Sequence, residues 1–335
     1  MTDIPAHRKG VFSAWNIFKL ILALGLAIFI FSKTDPASVV ATIKSVSLFW
    51  LAISGILFVS LTLLKTLQYY ILLRDELTFW QVLNVIVWQN AVSNFFLAGA
   101  GIATYVTMSR MEHKIRVGQS VIIFLLIKVG DLTAIWLALL LSSSLTWAQI
   151  RTIQTPIVIL LTGIGLVLLV FFLTVVFRQR FVSIIHGILE RLGISQIEVV
   201  RRGVLFLQNL TDLKQEKTAG SFVMLLLCSI LYLVVTLVWI YSTLATFHLR
   251  MDAAAVVFVG ALMQLVSYFP VYVFGGIGIT ETSALYFWSF FQISQEVLAP
   301  ALIGIRVIFY LFNLIPLIYL PVYAVIRKQK EQTAK

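Results

Sequence analysis

Two stretches decide the architecture of this chain: FFLAGAGIAT at residues 95–104 and YVFGGIGITE at residues 272–281. Gly99 aligns with Gly276, Gly101 with Gly278 and Ile102 with Ile279, all at an offset of 177 residues. Each glycine cluster lies in the middle of an apolar stretch, 79–108 or 253–292, where it frays a helix and frees backbone groups that lipid cannot satisfy. Such a break belongs inside protein or against water. The same offset carries residue 48 onto 225 and residue 118 onto 295, close to the starts of long apolar runs. Span, hairpin, span therefore occurs twice, over 48–142 and 221–326.

Composition sets the solvent. Sixty per cent of the 335 residues are hydrophobic and only 12% are charged. A soluble core of this length has no way to bury so much apolar surface, so the bilayer must do it. About 20 apolar residues cross roughly 30 Å of hydrocarbon. Full spans are predicted near 12–31, 48–72, 118–142, 156–177, 221–247 and 297–326. The expected fold is thus a single all-α integral membrane domain over 1–335, with six full transmembrane helices and two re-entrant or broken-helix hairpins in an inverted repeat. Arg8 and Lys9 before the apolar run at 15–31 imitate a signal sequence, but no small-x-small cleavage site follows, and an uncleaved first span is expected.

Charge orients the spans. With a cytoplasmic N-terminus, Arg8, Lys9, Arg74, Arg110, Lys114, Arg116, the basic residues between Arg178 and Lys217, and Arg327, Lys328, Lys330 and Lys335 all fall on the cytoplasmic side. Only Lys33, Lys44, Arg151 and Arg250 fall outside, as the positive-inside rule requires. Both termini are then cytoplasmic, the first hairpin enters from the cytoplasm and the second from outside, and the second copy is upside down. The net charge of +11 is topological and does not point to nucleic acid. The polar segment 178–220 carries Phe181, Ile184, Ile185, Ile188, Leu189 and Leu192 at helical spacing. It reads as an amphipathic surface helix facing anionic headgroups, or as an ordinary linker helix.

Few residues are fit for chemistry. The single cysteine, Cys228, sits in an apolar run and reads as a small hydrophobe. His7, His113, His186 and His248 have no metal-site spacing, and neither cofactor, metal site nor catalytic triad is expected. Within the apolar segments stand Lys19, Lys65, Lys128, Asp131, Glu281 and Arg306. Lys19 and Lys65 lie toward span ends, where snorkelling explains them. Glu281 falls in the first turn after the glycine break, where the positive helix end favours an anion and Thr280 or Thr282 can cap. Arg306 is too deep to snorkel, and Glu281 is its nearest partner in the topology. Lys128 and Asp131, three apart on one face, are expected to pair with each other. Asn90, Ser93 and Asn94 share one helical face, and Gln264, Ser267 and Tyr268 another. These stripes line a cavity or glue helices together. The glycine turns, with free backbone N–H groups, and the basic residues suit an anion such as phosphate. The alternative is a pair of structural locks.

The stretch YFPVYVFGGIGITETSALYFWSFFQISQEVLAPALIGIRVI, residues 268–308, resembles the C-terminal signature of the lysylphosphatidylglycerol synthase transmembrane-region, or flippase-like, family. That signature is a proline, a Gly-Gly-x-Gly-x-x-Glu turn, alanines and a membrane arginine, here Pro270, Gly275, Gly276, Gly278, Glu281, Ala299, Ala301 and Arg306. Asn94 with LAGAG and Lys128 with Asp131 resemble the N-terminal half, whereas Ile102, Ala103, Thr104 and Tyr105 stand where the family carries a glutamate and an arginine. The likeness covers most of residues 10–327. It implies a prokaryotic plasma-membrane protein whose partners are membrane lipids, and a stand-alone flippase-like protein, not an enzyme, since no soluble aminoacyl-transferase domain fits in the cytoplasmic segment. The expected cargo is an anionic or zwitterionic lipid, of aminoacylated phospholipid or polyprenyl-phosphate type. The predicted headgroup or cavity residues are Glu281, Arg306, Lys128, Asp131, Gly275, Gly276, Gly278, Thr280, Gly99, Gly101 and Asn94. A second reading is a scaffold that presents lipid to a separately encoded transferase. A third, an intramembrane enzyme with Glu281 as base, lacks a second catalytic group.

Overall fold

The computed structural model describes residues 36–177, 218–268 and 274–333, with Gly25 and Gly187 besides. Along them run α1 (Pro36–Lys44), α2 (Leu48–Leu73), α3 (Phe79–Phe95), α4 (Ala98–His113), α5 (Val117–Leu145), α6 (Gln154–Phe177), α7 (Thr218–Thr246), α8 (Ala253–Val266), α9 (Ile279–Ser289), α10 (Gln295–Leu317) and α11 (Tyr319–Thr333), with no strand among the described residues. Five helices are long and apolar enough to cross a membrane: α2, α5, α6, α7 and α10 continued into α11. They stand where five of the predicted spans were placed. The sixth, 12–31, lies outside the described residues, as do Pro270 and nearly all of segment 178–220.

Burial follows the logic of a lipid solvent. Leu141, Ile159, Val167 and Leu227 are exposed, whereas Ser54, Thr66, Gln68, Ser229 and Ser242 are wholly buried. Polar groups hidden from lipid need partners. The Thr66 hydroxyl donates to the carbonyl of Thr62 one turn back, and other hydroxyls join α2 to α7. Ser54 bonds Ser242 at 2.9 Å and Gln68 bonds Ser229 at 2.8 Å. As numbering rises on one helix it falls on the other, so α2 and α7 run antiparallel. Gly130 of α5 lets the Ser229 hydroxyl approach to 2.8 Å of where a Cβ would stand. Cys228 is buried, as expected of a small hydrophobe.

Both apolar stretches outside the long helices form pairs of shorter ones. At about 1.5 Å per residue, α3, α4, α8 and α9 extend only roughly 16 to 26 Å each, less than a hydrocarbon core. Their packing is reciprocal: α8 lies against α5, and α3 against α10. The first break does not fall at its glycines. Phe96 and Leu97 carry the bend, with Phe96 at φ −129° and ψ −95°, and helix resumes at Ala98. Gly99 and Gly101 are therefore helical, unlike Gly276 and Gly278, which have φ of 83° and 79°. Proximity explains Gly101: a Cβ there would meet the Gln89 carbonyl oxygen and the Ser93 Cβ, both at 2.7 Å, while one at Gly99 meets nothing within 4 Å. Gly101 is the seam on which α4 closes against α3. Gly101→Leu is expected to lower stability by about 1–3 kcal/mol through overpacking, and Gly99→Leu to leave it unchanged, as thermal unfolding in detergent would report. Pro300 sits inside α10 without ending it, and α10 stops one residue after Pro316.

Candidate functional site

The second break is where the two hairpins meet. Phe274, Gly275, Gly276 and Gly278 have φ of 48°, 64°, 83° and 79°, a left-handed path that only glycine follows without strain. The chain turns and starts α9 at Ile279, so Glu281 is the third residue of that helix. Its Oε2 accepts the Gly278 N–H at 2.7 Å, one arm of a capping box at the positive helix end. Its Oε1 accepts Nε and Nη2 of Arg306, the predicted partner. Arg306 Nη1 donates to the Gly275 carbonyl at 2.8 Å, and Tyr310, one turn on, donates to the Phe274 carbonyl at 2.5 Å.

The same face of α10 reaches the first hairpin. Asn94 donates its Nδ2 to Asn313 Oδ1 at 2.6 Å. The Phe274 N–H donates to the Phe96 carbonyl at 2.7 Å, so the two breaks satisfy each other's backbone. Gly275 is pressed so close that a Cβ would stand 3.0 Å from Phe309 and 3.1 Å from the Asn94 carbonyl. Of the N–H groups predicted to be free at this turn, that of Gly278 is used within the protein. Gly278 spends its own on Glu281, and the anion at the helix start is the protein's own carboxylate. Thr280 lies in the first turn of α9, and Thr282 keeps a buried hydroxyl oxygen with no hydrogen-bond partner among the described residues. What this arrangement does chemically is lock.

A second polar cluster lies where the two hydrophobic cores adjoin. One core holds Tyr69, Ile127 and Leu225, the other Ile135, Leu233 and Leu237. Between them is a cavity of about 190 Å³, lined by Lys65, Tyr69, Gln89, Asn90, Ser93, Lys128, Asp131, Ile135, Ser229, Tyr232, Leu233, Gln264, Ser267 and Tyr268. Both predicted polar stripes meet there, except Asn94, which belongs to the lock. Neither Glu281 nor Arg306 lines it.

Two expectations are corrected here. Asp131 pairs with Lys65, at 2.6 Å, and not with Lys128. Lys65 does not snorkel, its side chain being only 16% exposed. Gln68 closes the pair into a ring: its Oε1 accepts from Lys65 at 2.8 Å, and its Nε2 donates to Asp131 Oδ1 at 2.9 Å. The other Nε2 hydrogen goes to Ser229, and the Lys65 ammonium stands 4.4 Å from the centre of the Tyr232 ring. Lys128, one turn before Asp131, faces the Tyr268 ring at 4.6 Å and that of Phe124 at 5.7 Å. Its ammonium has no hydrogen bond or carboxylate partner among the described residues. Gln68 and Tyr69 escaped the sequence reading and Lys65 was given no role in it, although their spacing of three and four residues was the available signal.

The family model for the lysylphosphatidylglycerol synthase TM region matches residues 16–316. The chain belongs to that family. No curated protein and no solved structure matches it. The family makes the chain a multi-pass membrane domain of lipid-related function, and the match runs across both hairpins, the lock and the cavity. Among the described residues no group of histidine, cysteine or carboxylate side chains can hold a metal ion. His248 is occupied with the Ser45 carbonyl at 2.7 Å.

Proposed function

We propose that this protein is flippase-like and moves an anionic or zwitterionic lipid headgroup between leaflets, by way of the cavity between the two hairpins. The observation that carries the reading is the cavity itself. In a chain whose outer surface is apolar, amides, hydroxyls and charges from α2, α3, α5, α7 and α8 converge on one cavity. Such groups are costly in hydrocarbon and are held there where they face a polar ligand or water. The architecture that goes with it has six spans, both termini in the cytoplasm of a prokaryotic cell, and two inverted copies. Antiparallel α2 and α7, which occupy corresponding places in the two copies, and the reciprocal packing of α3 and α8 on α10 and α5 support the inversion. Glu281, Arg306, Asn94 and the glycine turn hold the hairpins together, and Lys65, Lys128 and Asp131 face the cargo. Presentation of lipid to a separate transferase would rest on segment 178–220, nearly all of which lies outside the described residues.

The test is reconstitution of the full chain into vesicles with a fluorescent phospholipid, with exchange read by dithionite quenching of the outer leaflet. Exchange faster than in protein-free vesicles is expected, and rates no faster than those overturn the proposal.

A further inference from the structure

The charges around the cavity do not balance, and the imbalance has a sign. Asp131 is consumed: one carboxylate oxygen accepts from Lys65 and the other from Gln68. Lys65 is consumed with it, bonded to both Asp131 and Gln68 and set over the Tyr232 ring. This ring of bonds is neutral. Lys128 adds one positive charge on the same cavity wall, against the Tyr268 ring, and among the described residues nothing offsets it. Asn90, Ser93 and Tyr268 border the same space without donating a hydrogen bond among the described residues, and Gln89 keeps a buried Oε1 with no partner, an acceptor that suits a headgroup hydroxyl and not the phosphate itself.

We infer that the cavity selects the phosphate of a lipid whose headgroup carries no compensating cation, and that Lys128 is the residue that holds it. This rests on the reading above in taking the ligand to be a lipid, and it narrows the class of cargo. An uncompensated ammonium in a low-dielectric site gains most from an oxyanion, which accepts charge-assisted hydrogen bonds from it and from the neighbouring amide and hydroxyls. A lysylated or choline headgroup brings a cation that is repelled by the Lys128 ammonium and gains most from a carboxylate or an open aromatic face. The lining carboxylate is already paired, and the rings of Tyr232 and Tyr268 already carry the protein's own ammonium groups. A volume of about 190 Å³ is several times the roughly 30 Å³ share of one water, room for a phosphate and a small alcohol. A phosphatidylglycerol-type diester or a lipid phosphate monoester has the required chemistry.

Equilibrium binding to the detergent-purified full chain separates this from the transport reading. The probes are dihexanoyl phosphatidylglycerol, its lysyl ester, dihexanoyl phosphatidylcholine and inorganic phosphate, read by tryptophan fluorescence. Phosphatidylglycerol is expected to bind about tenfold or more tightly than the lysyl ester or the choline lipid. Lys128→Met should remove that preference, Lys128→Arg should keep it, and the melting temperature of each variant shows whether the fold survives. Equal or tighter binding of the lysyl ester, or an unchanged preference in a folded Lys128→Met, overturns the inference. Inorganic phosphate binding as tightly as the lipid overturns its lipid part. Selective binding without leaflet exchange would leave this site standing and remove the flippase proposal. Exchange without selectivity would do the reverse.

Discussion

Lys65→Met is expected to destabilise the protein by about 3–5 kcal/mol, because it leaves the Asp131 carboxylate buried without its cation. Asp131 is 7% exposed, and the hydrogen bond from Gln68 remains its one neutral donor. Asp131→Asn should cost a similar amount for the opposite reason, by stranding an ammonium between α2, α5 and α7. The informative variant is the double substitution Lys65→Met with Asp131→Asn, which buries no charge and keeps an acceptor for Gln68. It is expected to recover most of the loss, so the two effects are strongly non-additive. Thermal unfolding of the four proteins in one detergent gives the coupling. Additive losses would mean that the pair is not the unit described here. Because the ring of bonds also reaches Ser229, removal of Lys65 should loosen α7 as well, and proteolysis near Thr218 would reveal it.

The second large effect is expected at the lock. Arg306→Met takes away the cation of Glu281 and the donor to the Gly275 carbonyl together. A loss of about 3–5 kcal/mol is the expected scale for a broken buried pair. Arg306→Lys should fall between, since an ammonium supplies charge without the planar fork that reaches both acceptors. Gly275→Ala probes the same turn from the backbone side: φ of 64° costs an alanine about 1–2 kcal/mol, and its Cβ would crowd Phe309 and the Asn94 carbonyl. The consequence belongs to both hairpins, because Phe274 bonds Phe96 across the junction. Cysteines at these two positions should cross-link readily in an otherwise intact protein, whose own Cys228 is buried. The yield should fall sharply once Arg306→Met is added. An undiminished yield would show that the breaks stay joined without the arginine.

Much of the lock could be read in the linear chain. Glycines at 275, 276 and 278 demand a left-handed turn, Glu281 follows at the helix start, and Arg306 lies too deep in its span to reach water. The first hairpin was harder, because Gly99 and Gly101 have the spacing of a break yet lie within α4. A glycine chosen for close approach of Ser93 looks the same in sequence as one chosen for positive φ. Lys65 illustrates the other difficulty. Nearness to a span end suggests snorkelling, and only the presence of Asp131 and Gln68 beside it turns it inward.

By itself, then, the order of residues determined the solvent and the placement of the five long helices, because apolar length and charge are local quantities that the bilayer reads one segment at a time. Tertiary structure alone decided who partners whom: Lys65 with Asp131, Lys128 with a tyrosine face, Phe96 with Phe274. Those choices depend on the rotation and depth of each helix against its neighbours, and they are made by close packing among all of them at once.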